Sequence, residues 1–337
     1  MDLRKDSLIV SEGFKSKYID AFDSFCFQNC VLNILENYKI ENAIDYLNLG
    51  LSLTVDLKKQ CHFQYITWQN SLLPKFSGLL ELHFEKNGDI DDVICKNINW
   101  VNKGYPLILS CDTFYLPYTP FFHRSHGNHT LIMYDVSREK NQIKISDCFH
   151  TWKYNGYIDI GIIKEARQSN NEFDGGMFSG EPIELGWAKL ERHGWQEERK
   201  SLILQNLNIY LSNYGAGRKG EWRYGKEALN EIFIYLKNCS IDKYVLLYRE
   251  SYYFVKRRKL FFYYISTFAS ICTLYVEQSK VLFENMNKWE IWHKNLLKVG
   301  LKSDERKRIE ICTMFWNLII EEYNVYSTIE NIVRTLK

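Results

Sequence analysis

Cys30, His129 and Asp147 supply the three side chains that nucleophilic acyl chemistry needs: a thiol, a base to take its proton, and a carboxylate to orient that base. The local pattern brings the last two together. Gly127-Asn128-His129-Thr130-Leu131-Ile132-Met133-Tyr134-Asp135 and Gln142-Ile143-Lys144-Ile145-Ser146-Asp147 are apolar, β-prone runs on either side of the polar segment Ser137–Asn141. This predicts a β-hairpin turning near Arg138 or Glu139, with His129 at the start of one strand and Asp147 at the end of the other. A carboxylate beside an imidazole holds one tautomer and makes the ring a better base. Asp135 is the alternate carboxylate, but it lies farther along the strand of His129, roughly 20 Å away at strand rise. The plainer reading of Asp147 is a turn residue after a strand.

The thiol has a helix start to help it. Asp23-Ser24-Phe25-Cys26-Phe27-Gln28-Asn29 reads as a loop, and Val31, Leu32, Ile34, Leu35 and Tyr38 then recur at helical spacing. Asn29 as N-cap places Cys30 in the first turn, where unpaired N–H groups and the helix dipole stabilise a thiolate. Cys26 is the rival thiol, one turn earlier, and falls in the loop on this reading. The bland alternative for either is a small buried hydrophobe.

His123, His126 and His129 also form a His-x-x-His-x-x-His run, with Cys148 and His150 downstream. Metal-binding helices place histidines at i and i+4 on one face, whereas steps of three drift around the helix. Pro117, Pro120, Phe121 and Phe122 argue for a loop, so no metal is expected here. Asp112 and Tyr115 follow the apolar run Leu107–Cys111, at a strand end where binding residues often lie. A capped turn with aromatic packing explains them equally; in a functional role the Asp112 carboxylate would hold an incoming amine.

The elements that carry these residues read as a mixed first half. Asp89–Asn102 predicts a helix with Ile90, Val93, Ile94, Ile98 and Val101 on one side, and Glu41–Leu47 a shorter one. After Asp147 the polar and glycine-rich stretch through Gly175-Gly176 and Ser179-Gly180 reads as a long loop or an interdomain surface. From about Glu197 the segments Ser201–Leu211, Lys226–Lys237, Lys259–Met286, Lys288–Val299 and Asp304–Lys337 favour helix. The expected organisation is α+β, with residues 1–196 carrying the chemistry and 197–337 forming a helical domain packed on them.

Composition narrows the class. The 337 residues are 46% hydrophobic and 25% charged, which is ordinary for a globular chain. A net charge of +2 gives no basic excess of the kind nucleic-acid binding leaves, so no nucleic-acid partner is expected. Nine cysteines in irregular spacing, without a Cys-x-x-Cys pair, argue against a disulfide framework and for a reducing cytoplasm. No signal peptide is visible behind Met1. Leu260–Val276 carries no charge and follows Lys256-Arg257-Arg258-Lys259, but it is shorter than the roughly 20 residues of a membrane span and rich in Tyr, Ser and Thr. It reads as a core helix, so no membrane partner is expected. The basic runs Lys256–Lys259 and Arg306-Lys307-Arg308 read as solvated helix faces or a docking patch for an acidic partner.

Phe27-Gln28-Asn29-Cys30 opening a helix, Asp112-Thr113-Phe114-Tyr115-Leu116-Pro117-Tyr118, and Gly127-Asn128-His129 leading to Ser146-Asp147 resemble, in their order, the butirosin biosynthesis protein H family. Tyr224-Gly225-Lys226-Glu227-Ala228-Leu229 and Lys288-Trp289 resemble that family's helical extension. The resemblance implies a papain-like cysteine-protease fold working as an acyltransferase, with Cys30, His129 and Asp147 as its triad. It implies transfer of an acyl group from the phosphopantetheine thioester of an acyl or peptidyl carrier protein to an amine acceptor, free or carrier-bound. The same kind of chemistry joins carrier-bound units in closthioamide assembly. The thioester already carries the activation, so no bound cofactor is implied; the phosphopantetheine arm arrives as substrate. Papain-like enzymes place an oxyanion-hole Gln six residues before the cysteine, where this chain has Ser24, so the resemblance leaves that role, and substrate binding beside the thiol, to Gln28 or Asn29, or to the Cys30 backbone N–H with another donor. The rival readings are a cysteine peptidase or amidase on the same fold, and a non-catalytic partner in a biosynthetic cluster.

Overall fold

The computed structural model describes residues 14–56, 62–63, 67–86, 88–149, 152–175, 178–269 and 276–337. His150 therefore lies outside the described residues, as do the N-terminal residues and 270–275. The chain divides into two compact units, Met1–Leu47 with Thr67–Gln196, and Asn48–Ile66 with Glu197–Lys337. Residues 48–66, placed with the first part on sequence alone, thus belong to the second.

In the first unit an antiparallel sheet is built from β1 (Leu80–His83), β2 (Leu107–Asp112), β3 (Asn128–Ser137), β4 (Gln142–Phe149), β5 (Trp152–Asp159) and β6 (Trp187–Leu190). Their spatial order is β1-β6-β2-β3-β4-β5. Strand alternation sends Leu107, Leu109 and Cys111 of β2, Leu131 and Met133 of β3, and Ile143 and Ile145 of β4 to one apolar face. There they pack against α2 (Ile90–Asn102) and α3 (Ile160–Gln168). The helix α1 (Cys26–Asn37) meets β3 on the side of Thr130 and Ile132. Helix α2 starts where Asp89 caps it, its carboxylate accepting from the backbone N–H of Asp91 and Asp92.

The β3–β4 hairpin turns through Arg138–Asn141, with Asn141 in the left-handed region at φ 51° and its N–H bonded to Arg138 O. A bulge between Met133 and Asp135 shifts the register, and the ladder ends at Ile132↔Ser146. Beyond it each strand stays paired to its outer neighbour, with Cys111↔His129 on one side and Asp147↔Tyr154 on the other.

Three expectations need correcting. Helix α1 begins at Cys26, four residues earlier than an Asn29 cap would allow, with Phe25 as N-cap. The short turn Asp20–Phe22 prepares that start, because Phe25 N–H donates to Phe22 O and Asn29 N–H then closes the first helical turn on Phe25 O. The stretch after Asp147 is not one long loop: β5 and α3 occupy much of it, α3 capped by the Asp159 carboxylate, which accepts from Gly161 N–H. Glu41–Leu47 holds only a tight turn, Ala43–Tyr46.

The second unit is mainly helical: α4 (Arg199–Gly215), α5 (Gly225–Asn238), α6 (Lys243–Thr267), α7 (Val276–Lys302) and α8 (Arg308–Leu336). A small antiparallel sheet of His62–Phe63, Thr54–Asp56, Trp222–Tyr224 and Arg218–Lys219, in that order, joins them. Lys259–Met286 is therefore not one helix, since α6 ends at Thr267 and α7 begins at Val276. Trp289, Trp292 and Phe315 pack edge-on in its core. Arg258 pairs with Glu322 at 2.8 Å, both buried, and Arg257 reaches Gly50 O. Those two arginines of the Lys256–Lys259 run are thus interior groups and form no docking patch. Arg306, Lys307 and Arg308 are paired to Asp304, Glu310 and Glu305. Among the described residues no helix is long and apolar enough to cross a membrane.

Candidate active site

His129 and Asp147 stand on neighbouring strands just past the end of the β3–β4 ladder, both buried. The ring donates from Nε2 to the carboxylate, 2.9 Å from Oδ1 and 3.0 Å from Oδ2. Two further donors converge on Oδ2: the Tyr118 hydroxyl at 3.0 Å and the Trp152 indole N–H at 2.9 Å. Three donors on one buried carboxylate fix its rotation and occupy its lone pairs, so the His129 ring is held in one orientation. Sequence reasoning quoted Tyr118 in a motif without giving it a role and passed over Trp152.

The thiol that faces His129 is Cys26, not Cys30. With Nε2 taken by Asp147, the ring's other nitrogen is left for the Cys26 sulfur, and the two side chains hydrogen bond. Burial pushes the Cys26 thiol up, but its hydrogen bond to His129 and the charge of that ring, helped by Thr130, carry it below the usual 9.0. His129 moves the other way. Burial lowers it, and the charge and hydrogen bond of Asp147, with Cys26 adding, raise it to about 10. A lowered thiol beside a raised imidazole is the combination that favours a thiolate–imidazolium pair.

Cys30 sits one helical turn deeper. Its Sγ is 3.6 Å from Thr130 O and 3.8 Å from Thr130 Oγ1. Burial, then the neighbouring Cys26 and Asp147 charges, push its thiol well above 9.0, so it stays protonated. The reason is helical geometry: positions i and i+4 share a face, but only the first-turn residue is level with the strand end where His129 stands. The helix-start argument made for Cys30 belongs to Cys26. Ser24, two residues before it, holds a φ of 75°, a strained bend that turns the chain sharply into the helix.

The remaining candidates divide. Asn29 lines a small cavity together with Cys26, Cys30, Thr130 and Cys148, and its Nδ2 donates to Cys148 O at 2.9 Å. Gln28 is buried and donates from Nε2 to Ser71 Oγ at 3.1 Å. Asp112 does not offer a free carboxylate to an amine. It is fully buried and accepts from Phe114 N–H and Gly127 N–H at 3.0 Å, from His126 Nδ1 at 2.7 Å, and from the Ser169 hydroxyl. It braces the loop between β2 and β3. Tyr115 packs against the apolar core beside Phe114.

The oxyanion position also moves with the nucleophile. Six residues before Cys26 stands Asp20, an acid where a donor is wanted. Helix α1 has no side-chain cap, so the backbone N–H groups of its first turn are the donors the helix itself supplies beside the thiol.

The three histidines part company: His123 stacks on Phe122, His126 binds Asp112 and His129 binds Asp147. Among the described residues no group of three or more His, Cys, Asp or Glu side chains is placed to hold a metal. Cys26, Cys30, Cys95, Cys111, Cys148, Cys239 and Cys312 are free thiols.

Residues 38–148 match the model of the family described as butirosin biosynthesis protein H, N-terminal. The similarity spans about a third of the chain and includes His129 and Asp147, with Cys26 upstream of it. No curated protein matches the chain.

Proposed function

We propose that this chain is an amide-forming acyltransferase of specialised-metabolite assembly that works through an acyl-cysteine intermediate on a papain-like scaffold. The observation that carries the proposal is the His129 ring, which bridges the first-turn thiol of Cys26 and the triply bonded carboxylate of Asp147. The match to the butirosin biosynthesis protein H N-terminal model supports the biosynthetic setting.

The Cys26 thiolate attacks the carbonyl carbon of a thioester, presented on the phosphopantetheine arm of a carrier protein. The carbonyl oxygen takes up the electron pair and is met by first-turn N–H groups of α1. As the tetrahedral species collapses, the carbon–sulfur bond to the arm breaks, and the departing thiolate takes the proton from His129. An amine then attacks the acyl-Cys26 carbonyl, gives its proton to His129, and leaves as the amide while the Cys26 thiolate is restored. Asp147 keeps the ring in register through both proton transfers.

The test is transfer activity with acyl-loaded carrier protein and an amine. Cys26→Ala is expected to abolish amide formation with the fold retained, and Cys30→Ala to keep most of it. Full activity in the Cys26 variant would overturn the assignment, and peptide cleavage in place of transfer would point to a peptidase.

A further inference from the structure

Helix α8 is apolar on two sides. Ile311, Phe315, Leu318, Val325 and Ile329 share one face and are buried within the second unit. On the opposite face Ile309, Thr313, Trp316, Ile320 and Tyr323 follow at intervals of four, three, four and three. That is the heptad spacing, which keeps one seam turned toward one neighbour. All five face solvent, with Ile309 77%, Trp316 47%, Ile320 52% and Tyr323 62% exposed. A helix with an apolar stripe on each side calls for a neighbour beyond its own core. The seam stands as a ridge between two grooves, one lined by Phe233 and Cys312, the other by Ile291 and Met314. The Phe233 ring lies 5.2 Å from Trp316 and props the indole from one side.

Charge and area both favour a second copy as the occupant. Beside the seam Lys288 is paired with Glu321, Lys307 with Glu310 and Arg308 with Glu305, and Lys237 rests on the Phe233 ring. A partner of strong single sign meets little free opposite charge here, whereas a two-fold axis can set such a balanced face against itself without repulsion. The exposed parts of Ile291, Ile309, Trp316, Ile320 and Tyr323 come to roughly 600 Å², and the exposed Thr313, Asn317 and Asn324 bring the face near the ~800 Å² each partner gives a stable interface. We infer that this face joins two copies of the chain in an isologous dimer, the α8 ridge of each lying in a groove of the other. Trp316, at the middle of the seam, is its anchor. Every residue of the face belongs to the second unit, and none takes part in the chemistry of Cys26.

The test is sedimentation equilibrium of the full chain over a micromolar concentration series. The unaltered chain is expected at the mass of two copies. Trp316→Glu and Ile309→Glu, each at a position that faces solvent in the single chain, should keep the helical circular dichroism and weaken the dimer by roughly thirtyfold or more. If Trp316→Glu loses that signal, Ile309→Glu decides. Phe173→Glu, at a 67% exposed phenylalanine of the first unit, should leave the dimer intact. The mass of one copy throughout the series, a mass above two copies, or a dimer that either folded α8 variant leaves unweakened would overturn the proposal.

Discussion

A thiol held below its ordinary value against a ring raised to about 10 gives a defined pH response. Between the two values the pair is charged on both members, so alkylation of Cys26 climbs on a limb below pH 9 and then levels. Above about 10 His129 loses its proton, and with it the acid that the leaving thiolate needs, so transfer falls again. An alkylation limb at the position of a free cysteine would contradict the pairing. Tyr118 refines the same point. Tyr118→Phe removes one donor from Asp147, worth about 1 kcal/mol, and leaves more of that carboxylate's charge to attract the His129 ring. The alkylation limb should then move to lower pH while transfer slows. A loosened site would move it the other way. The meeting of His129 and Asp147 was legible from two apolar runs around a polar turn. The choice of thiol was not, because it hung on where a helix begins, and Phe25 has no capping side chain to announce that start. The signal available was Phe27, which with Val31, Ile34 and Leu35 extends the apolar face one turn upstream.

At the scale of elements, Asp112 shows why a strand-end acid can look functional and yet be a brace. Its four donors come from the loop that follows β2, from that loop's far end at Gly127, and from Ser169 after α3. Asp112→Ala leaves those donors buried without an acceptor, and thermal unfolding should show a loss on the order of 3 kcal/mol. Unchanged stability with a weakened amine KM would restore the substrate-binding reading. Gly225 carries a similar load in the second unit. It opens α5 at φ 47°, and a side chain there would overlap the backbone of Tyr214. Gly225→Ala should therefore cost on the order of 2 kcal/mol, read as a lowered Tm. Helices with strong one-sided patterns, such as Ile90–Asn102, were legible nearly to the residue. The edge strand Trp152–Asp159 was not, because only Trp152 and Ile158 of it are buried and the alternation is too weak to read.

For the whole molecule, the change of character near Glu197 was visible in composition, and the two units divide at Gln196 and Glu197. What composition could not show is that Thr54–Asp56 pairs with Trp222–Tyr224, a contact that takes Asn48–Ile66 into the second unit. Pairing between strands so distant in sequence leaves no periodic trace in either segment. The basic runs misled for a related reason, since charge in a sequence says nothing of burial, and Arg257 and Arg258 lie inside. The central claim is that an acyl group passes through the sulfur of Cys26. It is tested most directly by intact-protein mass after mixing the chain with acyl-loaded carrier protein, in the absence of an amine, followed by peptide mapping. The account predicts a gain equal to the acyl group, located on Cys26, kept in Cys30→Ala and absent from Cys26→Ala; an adduct on Cys30, or one that survives the loss of Cys26, would contradict it.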